Sequence, residues 1–187
     1  MKKIIVGVTG ASGACYAKRL VEVLSTQVEM HLVHSRTAPL VFHEELGVNL
    51  SGWLKEHKVK VHGISDFLSP LASGSNQFDA YVLIPCSMKT LSQVAHGVGE
   101  TLLTRIADIA LKERRKMIMV AREAPYSTVH LENMLRISQM GGIIFPASPG
   151  FYHRPQTVED LVDFVVSRVI QLLGLPQELI KPWMSEN

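Results

Sequence analysis

A chain of 187 residues with a formal net charge of +2 is long enough for one well-filled domain, and its charge gives no ground for a nucleic-acid or anionic-membrane partner. It is 47% hydrophobic and 19% charged, which suits a sheet covered on both faces; its apolar runs are too short to cross a bilayer, and the N-terminus has no signal-peptide layout. Two cysteines, Cys15 and Cys86, make no disulfide framework, so a reducing cytoplasm is the expected compartment.

The run Lys3–Thr9 is apolar and β-branched and reads as a buried first strand. Gly10-Ala11-Ser12-Gly13 follows at once and opens a helix over Ser12–Leu24, with Leu20, Val23 and Leu24 toward the sheet. Glycines at a helix start, with free N–H groups, form a phosphate cradle; a plain strand–helix turn is the alternative. The spacing Gly7-x-x-Gly10-x-x-Gly13 is not the dinucleotide fingerprint, and no Lys-Ser/Thr pair follows to make a Walker loop.

Strand two, Glu29–His34, ends at Ser35 where a nicotinamide-binding fold places an acidic residue. That argues against NAD. The Ser35 hydroxyl is suited either to a mononucleotide phosphate or to capping a helix over Thr37–Leu46. Residues 47–77 are the least readable part: Lys58–His62 resembles an edge strand with exposed lysines, and Ser69–Asn76 a polar loop.

The next strand, Phe78–Ile84, runs into Pro85-Cys86-Ser87-Met88-Lys89-Thr90, and a helical pattern begins near Leu91. Hydroxyls and a lysine thus stand at a strand's carboxyl end, where open α/β sheets bind ligands. Cys86 reads as a small buried residue, with a nucleophile as the rarer alternative. Helix Thr101–Glu113 buries Leu102, Ile106, Ile109 and Ala110, and Asp108–Lys112 has the spacing of a surface ion pair.

Strand five, Lys116–Ala121, ends in Arg122-Glu123-Ala124-Pro125, and opposite charges at the carboxyl end of a central strand favour a site. Helix Thr128–Met140, strand Gly142–Phe145 and a rigid aromatic and basic loop, Pro146–Pro155, come next. Thr157 caps the last helix with Asp160 as its partner; Val158, Leu161, Val162, Val165, Val169, Leu172 and Leu173 form the expected buried face, with Arg168 at its edge. Trp183 in the tail invites docking on a neighbour. Strand and helix alternate throughout. The expected fold is α/β, a single doubly wound, mostly parallel sheet in a Rossmann/flavodoxin-like three-layer sandwich, as one domain over residues 1–187.

No H-E-x-x-H, Cys/His ligand cluster or G-x-S-x-G elbow is present. Glu159, Asp160 and Asp163 fit the first turns of a helix through its dipole, so no metal is expected. What remains is a basin of hydroxyls, cations, a tyrosine and carboxylates beside a phosphate loop. It suits a phosphorylated cofactor and a second, small phosphorylated substrate.

Six motifs occur in order: Thr9-Gly-Ala-Ser-Gly13, Pro85-Cys-Ser-Met-Lys-Thr-Leu-Ser92, the helix Leu102–Glu113, Arg122-Glu-Ala-Pro125, His130-Leu-Glu-Asn-Met134 and Phe151-Tyr-His-Arg-Pro155. Together they resemble the UbiX-type flavin prenyltransferases across nearly the whole chain. The resemblance implies that reduced FMN is prenylated at N5 and closed onto C6, with dimethylallyl monophosphate as donor. The product would serve a UbiD-type decarboxylase, in ubiquinone biosynthesis or aromatic acid decarboxylation, and use of the pyrophosphate donor is left open.

It further implies FMN binding by Gly10, Ala11, Ser12, Ser35, Ser87, Met88, Lys89, Thr90 and Arg122. Prenyl phosphate binding falls to Lys112, Glu123, Tyr152 and Arg168. Catalysis falls to Glu123, Lys112, Ser12 and Glu45, with Glu44 as the alternative carboxylate near the flavin. The family forms homododecamers. Ionising an allylic phosphate needs cations and a proton on the departing oxygens, which Lys112, Arg122, Arg168 and Glu123 are suited to supply without a metal. Three rival readings are a peptidyl-cysteine-type flavin decarboxylase, an aromatic acid decarboxylase subunit and a non-catalytic FMN carrier. The first calls for an Asn within Ser87–Thr90, and none stands there.

Overall fold

The alternation of apolar runs and amphipathic stripes folds as six strands and seven helices in the computed structural model, which describes residues 1–181. The strands are β1 (Lys3–Val8), β2 (Glu29–His34), β3 (Val59–His62), β4 (Ala80–Cys86), β5 (Lys116–Ala121) and β6 (Ile143–Pro146). They form one sheet in the order β3-β2-β1-β4-β5-β6, and every pair is parallel. The helices are α1 (Ala14–Leu24), α2 (Ala38–Leu46), α3 (Leu50–Lys55), α4 (Met88–Ala95), α5 (Leu102–Lys112), α6 (Thr128–Gln139) and α7 (Val158–Leu172).

Alternate residues of each buried strand feed opposite cores. Ile4, Val6 and Val8 pack with α1, α2, α3 and α7, whereas Ile5, Tyr81 and Leu83 pack with α4, α5 and α6. The order reverses between β1 and β4, and such a switch point opens a crevice at the carboxyl ends of the strands. No helix among the described residues is long and apolar enough to cross a membrane.

Several local expectations are corrected. The helix after β1 begins at Ala14, two residues beyond Ser12, because Gly13 takes a left-handed conformation with φ of 109°. α4 begins at Met88 rather than near Leu91, because Ser87 accepts from the Thr90 amide and caps it. The stretch 47–77 holds a short helix, α3, capped by the Asn49 side chain, and a 3-10 turn over Pro70–Ala72. Val158 does not join the buried face of α7; it is 69% exposed, being the first residue after the cap. The Thr157–Asp160 capping box is present. Asp108 pairs with Arg105 at 2.8 Å, while Lys112 pairs with its neighbour Glu113 at 2.9 Å. Trp183 lies outside the described residues.

Gly7 sits at the centre of this packing. A Cβ there would drive into the Tyr81 hydroxyl and the methyl groups of Leu83 and Leu103. Tyr81 is fully buried and its phenol donates to the Leu103 carbonyl at 3.0 Å, so it has no room to retreat. Gly7→Ala is expected to cost about 1–3 kcal/mol, read as a lower urea midpoint at unchanged m-value. A wild-type midpoint would show that the contact relaxes.

Candidate active site

Thr9 joins the two strands that flank the switch point. It is 2% exposed; its hydroxyl donates to the Pro85 carbonyl at 2.7 Å and accepts from the Ser87 amide at 2.9 Å. The carboxyl ends of β1 and β4 are thereby fixed side by side. A cleft of about 550 Å³ opens there, lined by Gly10 after β1, by Ser35, Arg36 and Thr37 after β2, and by Ser87, Lys89 and Thr90 at the start of α4.

Gly10 permits a close approach, since a Cβ would collide with the Thr37 hydroxyl. Ser35 and Thr37 hydroxyls lie 3.0 Å apart, and Ser35 also accepts from the Ala38 amide at 3.2 Å, so the same side chain caps α2 and faces the cleft. Hydroxyl donors with two cations, beside the N-termini of α2 and α4, fit a phosphate monoester.

The glycine turn itself is not an open cradle. The Glu45 carboxylate accepts from the Gly13 amide at 2.9 Å and from the Ala14 amide at 2.8 Å, occupying the donors at the start of α1. Burial pushes the Glu45 carboxyl up, but the Ser12 hydroxyl, those two amides and the Arg122 charge outweigh it and hold the carboxyl below its ordinary value of 4.5. Glu45 is therefore an anion at neutral pH, tied to Ser12 and facing Arg122. Glu44 instead pairs with His43 at 3.2 Å on an exposed surface.

A carboxyl with a depressed folded-state value contributes stability above its ordinary value and loses it as pH falls through the lower one. Glu45→Gln is thus expected to be less stable than wild type at neutral pH, by a margin that shrinks as pH falls below the ordinary carboxyl value of 4.5. Urea midpoints measured at both ends check this; parallel curves would contradict it.

The other expected site residues are dispersed. Met88 is 8% exposed and packs in the core under α4. Ala11 follows the cleft-lining Gly10, and its amide is directed to the Thr9 hydroxyl at 3.4 Å. Arg122 and Glu123 stand just beyond β5, where the Glu123 carboxylate accepts from the Ala124 amide at 3.1 Å. Tyr152 packs edge-on against Phe164 with ring centroids 5.6 Å apart, one helical turn from Arg168 on α7. The Arg168 guanidinium donates to the Gln171 side chain at 2.8 Å.

Lys112 lies at the last residue of α5, on the opposite face of the sheet from α7. A smaller hollow of about 390 Å³ beside it is lined also by Asp108, Leu111, Arg114, Gln139 and Met140. Cys86 is fully buried, which pushes its thiol far up and leaves no thiolate to act as nucleophile. Asp163 pairs with Arg19 at 2.6 Å, and no group of acidic, His and Cys residues among the described residues is arranged to hold a metal.

Sequence reading missed Arg36, Thr37, Gln93 and Glu100, which also line the cleft. The signal available for the first two was their place directly after Ser35; Gln93 and Glu100 gave none, because they reach the cleft only through the packing of α4 and the turn before α5.

This fold, with a hydroxyl-lined cleft at its switch point, defines a mononucleotide-binding flavoprotein, and the sequence model of the Flavoprotein family matches residues 1–170. The chain is 50% identical over 181 residues to a flavin prenyltransferase UbiX of Methanocaldococcus jannaschii, covering 97% of this chain and 98% of that one. Among solved structures, the UbiX protein AnUbiX (PadA1), in complex with FMN and dimethylallyl pyrophosphate, is 37% identical with a TM-score of 0.94, over 100% of this chain and 99% of that one. A dodecameric FMN-dependent UbiX-like decarboxylase from Escherichia coli O157:H7 is 40% identical with a TM-score of 0.94, over 98% and 100% of the two chains. The chain belongs to the UbiX family of flavin prenyltransferases.

Proposed function

We propose that this protein transfers the dimethylallyl group of dimethylallyl monophosphate to reduced FMN, joining it at N5 and closing it onto C6. The cleft carries this reading: hydroxyls of Ser35, Thr37, Ser87 and Thr90, with Arg36 and Lys89, are matched to the phosphate of one mononucleotide in a chain of this family. Reduced FMN supplies the nucleophilic nitrogen. Gly10 and Ala11 admit the flavin close to the backbone, the backbone of Met88 borders it, and Arg122 lies over its edge. Ser12 and Glu45 form a hydrogen-bonded pair beside the reacting ring, where Glu45 orients the hydroxyl.

The allylic C–O bond breaks with both electrons passing to the phosphate, so negative charge grows on the departing oxygens. Lys112, Tyr152 and Arg168 hold that phosphate, and Glu123 gives it a proton. Lys112 and Arg168 stand on opposite faces of one sheet, so one phosphate is reached by both only if they come from different copies of the chain. A homododecamer, in line with the dodecameric relative, supplies those copies. The product passes to a UbiD-type decarboxylase in the cytoplasm.

Incubation with reduced FMN and dimethylallyl monophosphate, followed by mass spectrometry of the extracted flavin, tests the function. A gain of one prenyl unit is expected. An unchanged flavin mass would favour the decarboxylase or carrier readings.

A further inference from the structure

At the β2–β3 edge of the sheet, five side chains form a continuous row outside the machinery described above. The Ser69 hydroxyl lies 2.9 Å from His62 Nδ1, His62 Nε2 lies 2.8 Å from His31 Nδ1, and His31 Nε2 lies 3.1 Å from Glu29 Oε1. Lys60 Nζ closes the row on the same Glu29 oxygen at 2.8 Å. The two imidazoles are stacked, with centroids 5.1 Å apart. His31 and Ser69 are 7% and 6% exposed, so neither is open to a substrate.

The proton positions follow from the ends of the row. Lys60 and His31 hold the Glu29 carboxyl down at about 2, so it is an acceptor. His31 Nε2 must then carry a hydrogen, leaving Nδ1 to accept from His62 Nε2–H. His62 Nδ1 is left to accept from the Ser69 hydroxyl. All roles run one way, from Ser69 to Glu29, when both imidazoles are neutral. One added proton on either ring forces the His62–Ser69 bond to reverse. A second sets two N–H groups against each other between the rings.

Burial, His31 and Lys60 push the His62 imidazole down, while Asp66 on the following segment pulls it up; Lys3 on β1 acts on Glu29. A base depressed in the fold loses stability as pH falls below its ordinary value of 6.5.

The row matters because of what it anchors. His62 ends β3, Ser69 begins the 3-10 turn, and the chain between them carries Ile64 and Ser65 on the wall of the cleft. The Ile64 carbonyl also accepts from the Leu102 amide at 2.8 Å, beside the cleft residue Thr101. We propose that the Ser69–His62–His31–Glu29 row positions residues 63–69 as one wall of the cleft and releases that wall when His62 takes up a proton. His62, His31 and Ser69 are positioning residues, and the effect on flavin rests on reading the cleft as the FMN site.

The test is amide hydrogen exchange over residues 63–69, corrected for intrinsic rates, at about pH 7.5 and pH 5.5, with FMN dissociation constants at both. His62→Gln keeps a donor toward His31 and an acceptor toward Ser69 but does not titrate. In wild type, acidification is expected to lower protection of this segment about fivefold or more, and His62→Gln to shrink that change to within about twofold. FMN affinity should fall further in wild type than in His62→Gln; the comparison between proteins removes the titration of the FMN phosphate itself.

Ser69→Ala supplies an independent check. It should lower protection already at neutral pH and reduce the acid step. An acid step in exchange that is the same in wild type and both variants would overturn the proposal. An exchange response as expected, with no FMN binding at either pH, would uphold the anchoring role and remove only the flavin reading.

Discussion

Glu123→Gln is expected to bind FMN as wild type does and to form prenylated flavin at least about a hundredfold more slowly. Glutamine keeps the size of the side chain and an acceptor for the Ala124 amide, which Glu123 now bonds at 3.1 Å, so the turn after β5 should keep its shape. What it lacks is a transferable proton. A phosphate that departs with an extra negative charge needs that proton or another cation, and the penalty should fall on kcat rather than on the KM for the prenyl donor. The split distinguishes an acid from a mere binding group. Unchanged turnover would take the acid role from Glu123.

Lys112→Ala is the second large expected effect. In the protomer this lysine is half exposed and, among the described residues, pairs with the adjacent Glu113, an interaction of the kind that contributes about 0–1 kcal/mol. Stability should barely change. Yet product formation should fall by about two to three orders of magnitude, as for loss of a charged donor aimed at a developing anion. FMN affinity should hold, since Lys112 is absent from the cleft lining. Turnover at the wild-type rate would return Lys112 to the role of a surface ion partner.

The contrast between those two residues shows what a sequence discloses. β1 and β5 were legible because burial on both faces leaves continuous apolar runs, and α5 because its stripe is regular. α3 was not, being six residues long and held by an Asn49 cap and its packing rather than by periodicity. α4 starts three residues before its apolar pattern does, because the Ser87 hydroxyl, within a loop-like run, is its cap. The glycine turn misled most. Its sequence marks free helix-start amides, but Glu45, thirty-two residues from Gly13, occupies them, and no local pattern announces so distant a partner. The hydroxyls of Ser35, Ser87 and Thr90 were legible as lining of the cleft by their place after strand ends. The proposed meeting of these hydroxyls with Lys112 and Arg168 has no local signature, because α5 and α7 carry the two side chains on opposite faces of one sheet.

Mixing two inactive variants tests that convergence most directly. Lys112→Ala and Arg168→Ala protein, each purified alone, should turn over poorly. After dissociation and reassembly at equal amounts, sites drawing the two residues from different copies regain both in about a quarter of cases, so activity should return toward a quarter of wild type. Should the reassembled mixture stay as inactive as its parents while wild-type protein survives the same treatment, the leaving group is not held by a lysine and an arginine from separate copies, and the account fails at its centre.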